Sequence, residues 1–314
     1  MWNNSSLFLN LSHTHVNEEL PWEKLWYLDI QNNMIQGSLP IPPSSMEVFL
    51  ISNNQLTGEI PSLICNANLL VVLKLFNNSL GGMIPSCVGN FSHSLSVLDL
   101  HMNQFNGTIP DTFANGSTLR NIGLNNNQLE GKVPRSLVNC MELEVLDLGN
   151  NKIVDTFPYW LGSLPKLYVL ILRSNRLHGP IGSSSKTEFS SSELRVVDLS
   201  SNNFTSCLPL NFFKGWKGMM NVDESKYKLQ YMSTSSYYKD SMMVTMKGSD
   251  FCMEKIQTIF TAIDMSKNSF SGKIPKSIGK LKSLRGLNFS HNSLTGDIPT
   301  SLGNLTTLEW LDLS

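Results

Sequence analysis

The chain has 314 residues, 24 of them Lys or Arg and 25 Asp or Glu, so its formal net charge at pH 7 is −1. This balance provides no electrostatic basis for binding nucleic acid or an anionic membrane surface. Length alone would suggest two domains, but an internal repeat overrides that expectation, because repeat arrays grow in one dimension.

The two ends of the chain predict a piece of a longer array. The opening, MWNNSSLFLNLSHTH, lacks a basic segment followed by an apolar one, so no signal peptide is predicted. No run approaches the roughly 18 apolar residues that span a bilayer. The last residues, LEWLDLS, stop in mid-repeat, whereas a natural terminus needs a polar cap over the core.

A unit of 24 or 25 residues recurs along the chain, and residues 119–134, LRNIGLNNNQLEGKVP, show it most clearly. The spacing predicts a short strand that turns Leu119, Ile122 and Leu124 inward. Asn127 follows where the chain must bend, and a buried Asn there is expected to hydrogen-bond the backbone of its own turn and of the next coil. The residues at this ladder position are Asn33, Asn54, Asn78, Asn103, Asn127, Asn151, Asn175, Asn202, Asn268 and Asn292.

A turn of the form L-x-G-x-I-P follows the ladder position. Gly tolerates the positive φ that such a turn needs, and Pro fixes its own φ. Asp155 replaces the Gly in one unit and Gly182 replaces the Pro in another. Because no unit buries its apolar face alone, neighbouring units must supply the core. The regular turns are at 56–61, 80–85, 105–110, 270–275 and 294–299.

This unit resembles the plant-specific class of leucine-rich repeat. The resemblance implies an α/β-type leucine-rich-repeat solenoid, with short parallel strands on a concave face and turns and 3-10 segments on the convex face. Receptor kinases, receptor-like proteins without a kinase, and polygalacturonase-inhibiting proteins all share this repeat.

One insert interrupts the repeats, because the step from Asn202 to Asn268 is 66 residues, one repeat plus about 42 extra. We therefore expect leucine-rich repeats at 1–217, an insert at 218–259, and terminal repeats at 260–314. A long insert at one joint of a solenoid maps to a loop, often on the binding side.

The insert is rich in Met and Tyr, with seven of the 14 Met and four of the seven Tyr. Alternation from Met242 to Met246 predicts a strand, and Lys247 to Asp250 a turn that closes it. A segment packed on itself, in which Met fills irregular gaps, is the alternative to a binding loop.

The insert resembles the island domain of plant leucine-rich-repeat receptor-like proteins. Those proteins carry a Tyr, eight residues and then Lys-Gly, and here eight residues separate Tyr238 from Lys247. Residues 263–305 resemble their terminal repeats. The resemblance implies the ectodomain of a single-pass plasma-membrane receptor, on the extracellular side, with a separate partner kinase. This chain lacks that family's signal peptide, capping cysteine pairs, acidic juxtamembrane segment and membrane helix.

The five cysteines indicate an oxidising compartment by their positions. Cys65 and Cys87 lie 11 and nine residues past the ladder Asn of adjacent coils, so we expect them within reach of a disulfide. Cys207 and Cys252 bracket the insert and are candidates for a second bridge at its base. Cys140 is expected to be a buried small hydrophobe, and the odd number leaves at least one thiol unpaired in this chain.

Glycosylation sequons point to the same compartment, although an Asn-rich repeat generates some by accident. Asn10 and Asn288 lie between two inward-pointing residues, so they are expected to face the concave surface, where a glycan would block a ligand. The sequons begin at Asn3, Asn4, Asn10, Asn77, Asn90, Asn106, Asn115, Asn203, Asn288 and Asn304.

The concave face is the expected ligand surface, because strand side chains alternate faces and the positions flanking the inward residues point to solvent. Phe76 and Ile171 are unusual residues for a solvated sheet and indicate contact sites. The Asp that recurs at 29, 99, 147, 198, 264 and 312 is interpreted as part of the repeat, not as a metal site. The candidate contact residues are Lys74, Phe76, His101, Arg120, Tyr168, Ile171, Arg173, Arg195, Arg285 and His291. Asp99, Asp147, Asp198 and Asp264 occupy equivalent solvent-facing positions.

No catalytic motif, cofactor motif or metal site is predicted. His13 and His15 have no carboxylate or Cys partner at metal-ligand spacing. The chain contains no G-x-S-x-G, no phosphate-binding Gly loop and no kinase motif.

The sequence therefore favours a ligand-recognition ectodomain of a receptor-like protein in plant defence signalling. It would bind an extracellular peptide, glycan or protein and dock a co-receptor kinase through its terminal repeats. Tyr238, Lys247, Arg285 and His291 are the residues expected to couple ligand to partner. The alternatives are a secreted inhibitor of microbial wall-degrading enzymes and an inactive receptor fragment.

Overall fold

The computed structural model describes residues 23–91, 94–182, 192–210, 212–220, 231–232, 242–246, 249–253 and 255–314. Strands in these ranges are numbered β1 to β23 along the chain. Eleven of them form one parallel sheet, the main sheet, whose outer face is the expected concave face. Its strands, in spatial order, are β1 (Tyr27–Asp29), β3 (Val48–Leu50), β5 (Val72–Lys74), β7 (Val97–Asp99), β9 (Asn121–Gly123), β11 (Val145–Asp147), β13 (Val169–Ile171), β15 (Val196–Asp198), β19 (Ala262–Asp264), β21 (Gly286–Asn288) and β23 (Trp310–Asp312).

A second layer of shorter strands follows the turns after the ladder Asn. It is divided into three parallel sheets, in the orders β2-β4-β6-β8, β10-β12 and β14-β16-β20-β22. Its strands are β2 (Gln36–Gly37), β4 (Gln55–Glu59), β6 (Ser79–Met83), β8 (Gln104–Asn106), β10 (Glu130–Gly131), β12 (Lys152–Ile153), β14 (His178–Pro180), β16 (Asn203–Cys207), β20 (Ser269–Gly272) and β22 (Ser293–Leu294).

Short 3-10 segments return the chain to the main sheet. Six of those described begin directly after a Pro, whose fixed φ and missing N–H suit the position before the first turn. The segments are Ser62–Asn66, Ser86–Asn90, Arg135–Asn139, Tyr159–Ser163, Phe212–Gly215, Lys217–Met219, Lys276–Lys280 and Thr300–Asn304. The predicted solenoid of parallel strands, turns and 3-10 segments is thereby confirmed.

The Asn ladder forms as predicted, and Asn127 shows its geometry. Its Nδ2 donates to the carbonyl oxygens of Leu124 in its own coil and Leu100 in the preceding coil, both at 3.1 Å. Its Oδ1 accepts from the N–H of Phe105 at 3.0 Å. Asn126, just before it, has a φ of 55° and makes the bend. One half-buried amide therefore satisfies backbone groups of two coils at the bend.

The core lies between the main sheet and the returning segments. Leu119, Ile122 and Leu124 are 2%, 0% and 1% exposed, as the spacing predicts. The same positions in most of the described coils join one continuous apolar cluster, so each coil depends on its neighbours for burial.

The cysteines divide into one confirmed bridge and one wrong prediction. Cys65 and Cys87 form a disulfide, with Cα atoms 5.7 Å apart, and Cys140 is a buried free thiol. Cys207 is free and exposed, so it makes no bridge to Cys252. The reason is topological, because Cys207 lies on β16 in the second layer, whereas Met253, beside Cys252, packs against the main-sheet face.

Within the insert, β17 (Met242–Met246) and β18 (Ser249–Met253) pair antiparallel in a separate hairpin. The predicted strand is confirmed. The predicted turn is too long, because Ser249 and Asp250 already belong to β18, and Lys247 and Gly248 lie outside the described residues.

Candidate functional site: the concave face and its cover

Strand pairing in exact register arranges the concave side chains in two rows across the main sheet. One row is mainly apolar: Tyr27, Val48, Val72, Val97, Asn121, Val145, Val169, Val196, Ala262, Gly286 and Trp310. The other row, two residues later, is mainly polar: Asp29, Leu50, Lys74, Asp99, Gly123, Asp147, Ile171, Asp198, Asp264, Asn288 and Asp312.

The recurring Asp stabilises the end of each strand, which explains its periodicity. Asp198 Oδ1 accepts from the N–H of Ser200 at 3.0 Å and from its hydroxyl at 2.6 Å. Asn288 makes the same pair of bonds to Ser290, so an amide can replace the carboxylate. Among the described residues, no group of three or more His, Cys, Asp or Glu side chains is arranged to hold a metal ion.

Burial changes the ionisation of three of these carboxyl groups. It raises the pKa of Asp147 to about 6, against the opposing N–H of Gly149 and the charge of Arg173. Burial and the like charge of Asp264 raise the pKa of Asp198 to about 7. Burial also raises the pKa of Asp264. Asp198 is therefore partly protonated near neutral pH.

The insert covers one part of the concave face. Met232 and Ile256 of the insert, and Phe260 directly after it, are at most 8% exposed and pack in one apolar cluster with main-sheet residues of β11, β13, β15 and β19. The hydroxyl of Tyr168 donates a hydrogen bond to the carbonyl oxygen of Thr258. Met232, Met253 and Ile256 of the insert thus pack on the sheet.

Four residues predicted to face solvent are buried, and for Ile171 and Tyr168 the insert is the physical reason. Ile171 is 1% exposed and belongs to the cluster with the insert. Tyr168, Arg173 and Arg195 are likewise buried, and the Arg195 guanidinium lies 5.5 Å from the Tyr168 ring. In the sequence, Ile171 occupies a position where several other repeats have Asp. An apolar residue at that position indicates burial and not ligand contact.

Trp310, on the terminal coil, completes the apolar cluster on the concave face. The repeat pattern did not predict this contact. Its indole ring lies over Gly286, where an added Cβ would come within 2.2 Å of the ring atoms. This position places Trp310 in the same apolar cluster as Phe260 and Ala262. The Gly at 286 in the apolar row is the sequence feature that indicates the overlap.

On the amino-terminal side of the cover, four side chains form the open patch, defined as Lys74, Phe76, Asp99 and His101. The Phe76 and His101 rings stack with centroids 4.4 Å apart at 8°, and Lys74 Nζ lies 4.9 Å from the Phe76 ring centroid. His101 Nδ1 lies 2.5 Å from Asp99 Oδ1. Burial lowers the pKa of His101, but the attraction and hydrogen bond of Asp99 outweigh it and the net pKa is raised. The patch is a half-buried stacked platform with a cation at its edge.

The other predicted contact residues lie at the margins of the face. Arg120 makes a bidentate contact with Glu144, the closest atoms 2.7 Å apart, and Arg285 pairs with Glu309. His291 is exposed in the bend after β21, with a φ of 56°, and not in a row on the face. Tyr238 and Lys247 lie outside the described residues.

The sequons fall into three groups. Asn288 is 8% exposed and its Nδ2 donates to Asp264 at 3.0 Å, so the amide that would carry a glycan is already buried and bonded. Asn288 lies on the concave side as predicted, but this burial disfavours a glycan there. Asn3, Asn4 and Asn10 lie outside the described residues. The exposed sequons are Asn77, Asn90, Asn106, Asn115, Asn203 and Asn304.

The parallel main sheet, the Asn ladder and the L-x-G-x-I-P turns define a leucine-rich-repeat solenoid. Family models described as leucine rich repeat match residues 93–153, 117–177, 45–67, 193–214, 260–281 and 283–305. Among the described residues, no helix is both long and apolar enough to cross a bilayer.

Known proteins identify the kind of leucine-rich-repeat protein. Receptor-like protein 53 of Arabidopsis thaliana is 42% identical over 286 residues, which cover 88% of this chain and 29% of that protein. Receptor-like protein 6 of the same plant is 46% identical over 265 residues, covering 84% and 26%. The chain belongs to the plant leucine-rich-repeat receptor-like proteins, and it spans about three tenths of the length of the relatives that it matches.

A solved structure shows the same fold. The Arabidopsis receptor kinase HAESA, in complex with the peptide hormone IDA and the co-receptor SERK1, superposes with a TM-score of 0.68 at 26% identity. The match covers 93% of this chain and 46% of the HAESA chain.

Proposed function

We propose that this chain is the ligand-recognition part of a receptor-like protein on the extracellular side of the plasma membrane. The observation that carries this proposal is the division of the concave face into an open patch and a part covered by the insert. A stacked Phe76–His101 platform with Lys74 at its edge suits a peptide side chain bearing an aromatic or acidic group. HAESA, a structure of the same fold, holds a peptide hormone and a co-receptor in its complex.

The cover also limits the size of the ligand. The insert occupies the face over β11 to β19, and Trp310 adjoins it from β23. A large enzyme that fitted the whole concave surface would have to displace this buried cluster. A short peptide on the patch needs no such displacement, so the geometry favours a receptor over an inhibitor of secreted enzymes.

Replacing the platform is expected to weaken peptide binding. Peptides selected from a phage-displayed random library on the wild-type chain should bind His101→Ala and Phe76→Ala at least about tenfold more weakly, because each change removes one ring of the stack. Fluorescence anisotropy of the labelled peptides measures the loss.

Lys166→Ala is the matched control, since Lys166 pairs with Glu142 at 2.5 Å on an exposed loop away from the patch. Selected peptides that bind His101→Ala and Phe76→Ala as tightly as the wild type would contradict the proposed site.

Partner docking is the second half of the proposed function. Arg285, held by Glu309, and the exposed His291 lie on the terminal coils beside Trp310. Together with Tyr238 and Lys247 they are proposed to couple ligand binding to the docking of a co-receptor kinase.

Replacing Tyr238 and Lys247 together by Ala should abolish ligand-dependent co-precipitation of the kinase ectodomain while the thermal unfolding midpoint stays unchanged. Co-precipitation at the wild-type level would contradict this coupling.

A further inference from the structure

A groove opens in the second layer at the coil where Asp155 replaces the Gly of the repeat turn. The second layer narrows there, since β10 and β12 form a two-stranded sheet that a single bridge, Thr108 to Glu130, joins to the preceding coil. Turns of three successive coils, at 108–111, 132–135 and 155–160, enclose a groove of about 490 Å³. That volume lies within the range of small-ligand sites. The spacing of about 4.8 Å between strands makes the groove about 10 Å long across the three coils.

The floor of the groove is apolar and its wall is aromatic. Ile109, Val133 and Phe157 are at most 4% exposed and form the floor. Tyr159 is 39% exposed and Trp160 is half-buried beside it. Exposed aromatic faces of this kind pack against the apolar faces of a flat, ring-shaped ligand.

The cations at the rim are available to a ligand, whereas the carboxylates are already bonded. Asp155 accepts from the N–H groups of Thr156 at 2.8 Å and Val133 at 3.1 Å. Lys132 and Arg135 are exposed, and among the described residues neither forms an ion pair. The Arg135 guanidinium lies 5.6 Å from the Trp160 ring centroid, which holds it at the aromatic wall. Asp111, the second carboxylate at the rim, accepts from the N–H of Ser136 at 2.8 Å. Lys132 and Arg135 are therefore the charged side chains that can meet an anionic group of a ligand.

The backbone around the groove disfavours an extended peptide. The N–H of Val133 and the N–H of Thr156 are bonded to Asp155, and the N–H of Val154 donates to Gly131 at 2.8 Å. A peptide that binds by adding a strand needs free backbone groups, and these are taken. Recognition must then come from side chains, and the exposed Thr108 and Thr156 supply hydroxyl groups beside the charges.

We infer that this groove is a second binding site, distinct from the concave face, for a short oligosaccharide that carries carboxylate groups. A sugar ring lies against Tyr159 and Trp160, and its carboxylate pairs with Arg135 and Lys132. The ring hydroxyl groups bond to the two Thr side chains. The site does not depend on the proposed peptide patch.

Calorimetric titration of the chain with trigalacturonate tests the inference, with the methyl-esterified trisaccharide as the neutral matched ligand. We expect trigalacturonate to bind and the ester to bind at least about tenfold more weakly, because esterification removes the charge and keeps the rings. Arg135→Gln and Tyr159→Ala should each weaken binding about tenfold. Lys166→Gln, an exposed cation outside the groove, should leave it unchanged.

Both groove variants alter exposed side chains, so their unfolding midpoints should match that of the wild type. Weaker binding by a variant with an unchanged midpoint is then due to the loss of the side chain in the groove. The inference is overturned if trigalacturonate does not bind, if the ester binds equally well, or if either groove variant binds trigalacturonate as the wild type does. Preferential binding of an acidic peptide in competition would overturn the saccharide assignment as well. Loss of peptide binding in the His101 variant has no bearing on these results, so the two sites fail separately.

Discussion

Replacing Asn127 by Ala is expected to lower the free energy of unfolding by about 3 kcal/mol. The change leaves the N–H of Phe105 without its acceptor and removes one of the two amide hydrogen bonds to each of the carbonyls of Leu100 and Leu124. An unpaired buried N–H costs on the order of 1–3 kcal/mol, and each lost hydrogen bond to a carbonyl that keeps a second donor costs about 1 kcal/mol or less. Urea denaturation followed by circular dichroism measures the loss.

Gln128→Ala is the control for this prediction. Gln128 is the next residue and is exposed, with one contact to Lys152 at 3.2 Å. Its replacement should change stability by less than about 0.5 kcal/mol. Equal stabilities for the two variants would show that the ladder amide is dispensable.

Asp198→Asn is expected to stabilise the chain by roughly 2 kcal/mol near neutral pH and to change little at about pH 4. The pKa of Asp198 is about 7 in the folded chain, above its unfolded value of 3.8. Between these values the folded chain binds more protons than the unfolded chain, so the free energy of unfolding falls as pH rises. The amide removes this dependence and keeps the strand-end bonds, as Asn288 does.

Urea titrations across about pH 4 to 8 measure the slope. Asp312→Asn is the control, because Asp312 occupies the same row but the backbone N–H of Ser314 lowers its pKa. That variant should give no stabilisation at neutral pH. A pH slope for Asp198→Asn as steep as that of the wild type would contradict the assignment of the shift to Asp198.

The repeating parts of the fold were predictable because each coil obeys the same local rules. The ladder at Asn127, the inward Leu119 and Ile122, and the bridge between Cys65 and Cys87 all follow from position within a unit. A residue at a given place in one coil stacks on its counterpart in the next, so spacing alone determines the contact.

The candidate site was less predictable because the insert has no period. Nothing in the spacing of Ile171 or Tyr168 indicates that the insert lies over them, and both were expected to face solvent. Sequence position suggested a bridge between Cys207 and Cys252. Cys207 lies on β16 of the second layer, whereas Cys252 lies on β18 of the separate hairpin. Contacts between a non-repeating segment and the array depend on tertiary packing, which the repeat pattern does not encode.

Hydrogen–deuterium exchange of the chain with and without a selected peptide tests the central claim most directly. If the open patch beside the insert is the recognition site, the peptide should protect β5 and β7, which carry Lys74 and Asp99, and leave the convex 3-10 segments unchanged. Protection confined to the convex segments, or none on β5 and β7 at saturating peptide, would contradict recognition on the concave face.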